Sequence, residues 1–285
     1  MANADDFGLS ERINCGIESA FRRGILRSAS IMPNGTAFQD AVRIASAAPG
    51  LGVGIHLALV DEQCVARAAD VRGLADARGR LPKHHREFLL RWSLRQFDAR
   101  HIRAEVEAQI SRVLEAGIKP THLDSHQHLH LLPPILNVVL EAAASAGIPV
   151  VRLPDDGSQP KGLKRAILAR LSRRARPQLC AMGIRSADHF WGLAHSGCMN
   201  EPNLRRVLAQ LKDGVNEIMC HPGFGDPLTR ARYPWRYHWD DESAALTSAR
   251  IRAYIDDQDI RLANFRDAWE SELPPTKIQP ATAWL

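Results

Sequence analysis

Ten residues, Thr121 to His130, hold four of the chain's 12 histidines and one aspartate. Neutral imidazole and carboxylate bind a divalent metal without redox chemistry. Read as an extended strand, the segment puts His122, Asp124, His126, His128 and His130 on one face. Each of these groups, set in an apolar core without a partner, carries a desolvation cost of roughly a few kcal/mol. A metal, or a polar pocket around one, resolves that conflict. A solvated histidine tract fits poorly with the flanking Leu123, Leu129, Leu131 and Leu132.

Three further places carry groups of the same chemistry. Asp5-Asp6-Phe7-Gly8 is a paired carboxylate where a first strand should give way to a loop. Two close carboxylates share a site cheaply only when a cation sits with one of them, which suggests one ligand and one base. His56 ends the apolar run Gly52-Val-Gly-Ile-His, and His221 ends Met219-Cys-His-Pro-Gly. Arg152 sits in Val151-Arg-Leu-Pro. Asp5, Asp6, His56, His126, Arg152 and His221 thus all fall at predicted strand ends, where α/β barrels assemble active sites.

The elements that must position them alternate between short β-rich runs and helical ones, as βα units around a parallel sheet do. Strands are predicted near 28–32, 53–59, 121–124, 149–153, 217–220 and 261–265. Helices are predicted near 11–23, 38–47, 102–116, 133–146, 162–174, 202–212 and 242–257. Ser10 reads as an N-cap, and Gly24, Gly117 and Gly147 as helix ends. Only Met1, Ala2 and Asn3 precede Ala4-Asp5-Asp6, so the first strand is expected to be very short or missing.

Composition suits a soluble globular chain of 285 residues, with 45% hydrophobic and 24% charged residues. No apolar run approaches the ~20 residues of a membrane span, and no signal peptide is evident, so a cytoplasmic protein is expected. Five widely spaced cysteines read as free thiols. The net charge of +5 concentrates in two basic, partly apolar segments, Arg86–Arg103 and Lys161–Arg176. Such stripes usually pack on a sheet with their arginines solvated, but they also suit peripheral contact with an anionic membrane. They lack the aromatic interleaving of a nucleic-acid platform, so nucleic acid is not expected as a partner.

Asn3-Ala-Asp-Asp-Phe-Gly, Gly54-Ile-His, Thr121-His-Leu-Asp-Ser-His-Gln-His-Leu-His and Met219-Cys-His-Pro-Gly resemble the YdjC-like carbohydrate deacetylases, in order and over nearly the whole chain. The resemblance implies a TIM-like (β/α) barrel related to the polysaccharide deacetylases, and removal of acetyl groups from N-acetylated sugars such as diacetylchitobiose. His189-Phe-Trp-Gly-Leu-Ala-His-Ser-Gly and Tyr233-Pro-Trp-Arg-Tyr-His-Trp are similar to a hopanoid-biosynthesis-associated branch, which implies a glycolipid substrate. Residues 1–272 would form the barrel as a single domain, and 273–285 a poorly ordered tail.

The same resemblance implies roles. Asp6, His56 and His126 would hold one divalent metal, with Mg2+ or Zn2+ foremost and Mn2+ or Co2+ also suited. Asp5 would act as base with Arg152 orienting it, and His221 would protonate the departing amine. Asp124, His128 and His130 would stand behind the ligands or touch substrate, with His130 a fourth ligand if the chain turns helical after Ser125. A metal-dependent phosphoesterase and a non-catalytic metal-binding barrel are the competing readings. The oligomeric state is open, with a homodimer compatible.

Overall fold

A computed structural model describes residues 1–155 and 162–269. Among these, six parallel strands form one sheet: β1 Ala2–Phe7, β2 Ser28–Ile31, β3 Gly52–Leu57, β4 Leu123–Ser125, β5 His189–Trp191 and β6 Asn216–Cys220. Their order across the sheet is β4-β3-β2-β1-β6-β5. Beyond β4, Leu123 N donates to Val150 O at 2.9 Å and Val151 N to Arg185 O at 2.9 Å. Arg185 lies four residues before β5, so these bonds carry the sheet round towards its other edge. The sheet is therefore curled, as in TIM-like barrels.

Helices α1 Glu11–Arg23, α2 Phe38–Ser46, α3 His85–Ser93, α4 Ala99–Glu115 and α5 Pro133–Ser145 follow the first four strands. Then come α6 Leu163–Ala181, α7 Glu201–Leu208, α8 Pro227–Arg232, α9 Trp239–Leu246 and α10 Ala249–Asp257. Helix α1 shows the logic. Ile13, Ile17 and Ala20 recur on one face and are buried, while Ser10 Oγ caps the first turn by accepting from Ile13 N at 3.3 Å. Each such isoleucine removed from water contributes about 1.5–3 kcal/mol, and the alanine methyl less.

Several expectations need correction. The first strand is neither missing nor cut short: β1 runs Ala2–Phe7 between β2 and β6 and contains the Asp5-Asp6 pair itself. The motif is the strand's own end and not the loop that follows it. No strand forms at 261–265, and 149–153 contributes isolated bridges only. The expected helix at 242–257 is two helices, broken between Leu246 and Ala249, where Ser248 caps α10. Helix α6 runs on to Ala181 through Pro177, and α7 stops at Leu208. Strand β5 went unpredicted because its three residues offer almost no periodicity. The tail 273–285 and Lys161 lie outside the described residues. No helix among the described residues is long and apolar enough to cross a membrane.

Candidate active site

Asp5 and Asp6 are neighbours on β1, so an ideal pleat would send them to opposite faces. Asp6 instead has φ +65°, inside an irregularity of the β1–β2 register between Ala4 and Phe7. A left-handed aspartate at a bulge re-aims one side chain, at a cost of order 1 kcal/mol or more. Both carboxylates are thereby buried near His56: Asp6 Oδ1 lies 3.4 Å from His56 Nε2, and Asp5 shares a side-chain cluster with that ring.

The histidine-rich segment departs from alternation after Ser125. It turns into a 3-10 helix, His126–Leu131, with Gln127 at φ +56° and His128 at φ +58°. This kink separates the five residues expected on one face. His122 Nε2 pairs with Ser30 Oγ at 2.9 Å, and the ring stacks on Phe265 with centroids 3.9 Å apart. It fills the space that a Cβ on Gly54 would take, since that atom would lie 2.3 Å from His122 Cε1. Glycine there makes room for His122. His130 is not placed as a ligand although the chain does turn helical. Its Nδ1 bonds Ser125 Oγ at 2.6 Å and its Nε2 bonds Arg152 O at 2.9 Å, so it ties the turn to the neighbouring segment. Burial pushes both rings down, His122 to about 3 and His130 to about 4, so both are neutral at ordinary pH.

Asp6, His56 and His126 converge. All three are buried, and one donor atom from each lies within 4.8 Å of the others. His56 Nδ1 faces Asp124 Oδ1 at 2.6 Å, which leaves Nε2 as the ring nitrogen on the side of Asp6 Oδ1, 3.4 Å away. His126 Nδ1 lies 3.2 Å from the same oxygen, and its Nε2 lies 3.5 Å from Asp61 Oδ2. Both Asp6 oxygens, His56 Nε2 and His126 Nε2 are buried without a hydrogen-bond partner. Unpartnered Asp6 oxygens and an unpartnered His56 Nε2, at a place that His126 Nδ1 also reaches, are unusual in a native protein and fit a divalent cation. A second triple, Asp5, His56 and Asp124, is also close-set. There the cation is already present, because Arg152 Nη2 contacts Asp5 Oδ1 at 2.7 Å and Asp124 Oδ2 at 2.8 Å.

Arg152 is wholly buried at the centre of this network. It meets Asp5 bidentately, with Nη1 at 2.7 Å from Oδ2 and Nη2 at 2.7 Å from Oδ1, and donates from Nε to Glu217 Oε1 at 2.6 Å. Burial opposes its charge, but Asp124, Asp5 and Glu217 outweigh that and hold the guanidinium charged. Glu217, squeezed by burial more than Arg152 relieves it, is pushed up to about 7. His221 lies across the pocket. Glu242, fully buried, accepts from His221 N at 2.5 Å and from Met199 N at 3.0 Å, and sits 3.9 Å from His221 Nδ1.

Asp5, His56, His126, His128 and His221 line one cavity of about 110 Å³, together with Gln127, Lys164, Tyr237 and others. Lys164 opens the first turn of α6, so a basic segment read as solvated or membrane-facing contributes to the mouth itself. Glu217, Glu242, Asp61, Lys164 and Tyr237 escaped sequence reasoning. A carboxylate in an apolar strand, as in Asn216-Glu-Ile-Met-Cys, was the available signal for Glu217.

The charges of these side chains set how a metal would bind. Burial disfavours the imidazolium of His56, yet Asp124 and Asp5 raise it to about 10; His126 is raised to about 9 against burial by Asp6 and Asp61. Asp6, which burial alone would push up, is held well below the usual carboxylate range by His126 and His56. Both histidines therefore carry protons at neutral pH and must lose them to ligate. Zinc affinity is expected to climb as pH rises from 6 to 9, approaching roughly a hundredfold per unit while two protons leave. Calorimetric titration in buffers of different ionisation enthalpy counts them; release of no protons at pH 7 rules the assignment out.

The model of the family described as YdjC-like protein matches residues 1–257. A carbohydrate deacetylase of Brevibacillus brevis is 33% identical over 94% of this chain and 98% of its own. A chitooligosaccharide deacetylase of Salmonella paratyphi B is 30% identical over 94% of this chain and 98% of its own. A crystal structure from Enterococcus faecalis, of a protein assigned to cellobiose-phosphate cleavage, superposes with a TM-score of 0.77 at 24% identity, covering 94% and 97% of the two chains. That likeness concerns the fold.

Proposed function

The chain belongs to the YdjC-like protein family, and from that membership we propose that it is a metal-dependent hydrolase that removes the N-acetyl group from an amino sugar. The observation that carries the reading is the pairing of two sets of groups at one cavity: His56 and His126 in its wall with Asp6 buried beside them, and Asp5 and His221 in the same wall. A barrel that only stored a metal would need the first set and not the second. Its relatives named as carbohydrate and chitooligosaccharide deacetylases support the amide as the bond broken.

Asp6, His56 and His126 would hold the metal, which when bound supplies Lewis-acid polarisation of the acetyl carbonyl and a more acidic water. Asp5 receives the proton of the attacking water. Arg152 fixes both of its oxygens; Oδ1 also accepts from Asn3 Nδ2 at 3.1 Å, so Oδ2 is the oxygen that keeps a second lone-pair direction for that proton. His221, placed by Glu242 through its main-chain N–H, gives a proton to the departing amine nitrogen. Without it an amide nitrogen leaves poorly. His56 keeps its ligating orientation through Asp124.

A lipid-linked amino sugar is favoured among substrates by one observation. Two helices meet the turn 126–131 at the mouth: α3 through His85 Nδ1 to Gln127 Oε1 at 2.7 Å, and α6 through Lys164 in the cavity wall. Each shows bare apolar side chains among basic ones, with Leu90 58% and Leu163 78% exposed. Basic residues near an anionic surface contribute about 1 kcal/mol each, and salt screens them. Zinc-loaded protein is expected to release acetate from N-acetylated chitooligosaccharides, and faster from a glycolipid with the same headgroup in anionic vesicles at low salt. Equal rates and no vesicle co-sedimentation would return the substrate to free oligosaccharide; no acetate from any of them sinks the deacetylase reading.

A further inference from the structure

Four aromatic residues alternate through Tyr233-Pro-Trp-Arg-Tyr-His-Trp239, between α8 and the start of α9. Their rings form a ladder with centroids 4.7 Å apart from Tyr233 to Trp235, 5.5 Å to Tyr237 and 6.1 Å to Trp239. The two ends are buried and complete the core. The two middle rungs are only half-buried. Each middle rung lies against a histidine of the site: Trp235 against His126 at 4.8 Å and Tyr237 against His221 at 4.6 Å. Core packing explains the ends of the ladder and leaves the partly open faces of its middle without a purpose.

We propose that Trp235 and Tyr237 form a sugar-binding platform on which a pyranose ring of the substrate lies, setting its N-acetyl group between His126 and His221. The inference rests on the deacetylase reading and adds the surface that holds the sugar. A β-linked N-acetylhexosamine with equatorial substituents presents an apolar face of axial C–H groups, which suits an aromatic ring. Polar groups then fix its orientation, as in most small-ligand sites. Tyr237 also lines the cavity, and its hydroxyl reaches Ser196 Oγ at 3.4 Å, at the long limit for such a bond, so it can turn to a sugar hydroxyl.

The platform is held in shape before any sugar arrives. Tyr233 Oη and Arg232 both donate to the buried Glu62, the latter at 2.7 Å. His238 N donates to Gly197 O at 2.8 Å, and Arg230 pairs with Asp240 at 2.9 Å. Gly197 has φ +73°, and a Cβ there would come within 2.2 Å of the Tyr237 ring. A surface ordered in advance loses less freedom on binding.

The test uses zinc-loaded full-length protein and N-acetylated chitotriose. Trp235→Leu and Tyr237→Leu are expected to raise KM by about ten- to a hundredfold while kcat moves far less, with Trp235→Phe restoring most of the loss. Zinc affinity should stay at the wild-type level, which a shift of His126 would not allow. A wild-type KM in both leucine variants, or a rise that Trp235→Phe does not reverse, overturns the platform. If a leucine variant does not fold, the fluorescence difference between wild type and Trp235→Phe decides: chitotriose must perturb the Trp235 contribution, and no perturbation overturns the proposal. Calorimetric binding of chitotriose separates the two readings. Binding that Trp235→Leu weakens, in a wild-type protein that releases no acetate, keeps the platform and removes the deacetylase.

Discussion

Asp5→Asn is expected to lower kcat for acetate release by about 10²–10⁴-fold while the protein still binds one zinc per chain. The substitution removes the proton acceptor and keeps the size of the side chain. Asp5 is tied to Arg152 and is absent from the orphaned donor set, so metal content should not follow the loss. His221→Ala is expected to cost a similar factor for the opposite proton, again with zinc retained. The double variant should fall well short of the product of the two losses, because residues that act as a unit are not additive. Asp6→Ala is the contrasting control and should lose zinc and activity together. Near wild-type turnover in both single variants would remove the assigned acid and base.

Strand ends were where the sequence spoke most clearly. His56, His126, Arg152 and His221 stood out because a polar group ending an apolar run has no cheap place in a core, and each does lie in or beside the cavity. The backbone that aims them was not legible. Alternation assigned five residues of 122–130 to one face, and it failed at Gln127 and His128, whose left-handed conformation no propensity of glutamine or histidine announces. Asp6 shows the same limit, since its φ of +65° lets two adjacent carboxylates share a site. Partners distant in sequence were equally hidden. Glu217 is 65 residues from Arg152, and Glu242 is 21 from His221, so only the fold reveals them. The ladder at 233–239 is equally illegible in sequence as part of the mouth, because its contacts with His126 and His221 span more than a hundred residues in one case and the fold's own turn in the other.

The second large effect is on folding. Asp5, Asp124 and Glu217 surround one guanidinium, and all four side chains are buried. Removing the only cation among these four leaves two or three carboxyl groups in a medium that cannot solvate them. Breaking a buried pair by deleting one partner costs about 3–5 kcal/mol. Arg152→Met, which keeps much of the volume, is therefore expected to lower the denaturation midpoint sharply or to prevent folding at 37 °C. Glu217→Gln is the instructive comparison. Glu217 has its pKa raised to about 7 in the folded chain, chiefly by burial, above the ordinary carboxylate value of about 4.5. Between those values the unfolded chain has released the proton and the native chain still holds it, so this group's contribution declines as pH rises from 4.5 through 7. A glutamine cannot ionise, and its Oε1 can still accept from Arg152 Nε. Glu217→Gln should thus be close to neutral in stability at pH 5 and stabilising relative to wild type at pH 8. Chemical denaturation at both pH values measures it. A variant that is less stable at pH 8 than at pH 5, relative to wild type, would mean that Glu217 is a fully charged partner of Arg152, and that the guanidinium is shared among three anions and not two.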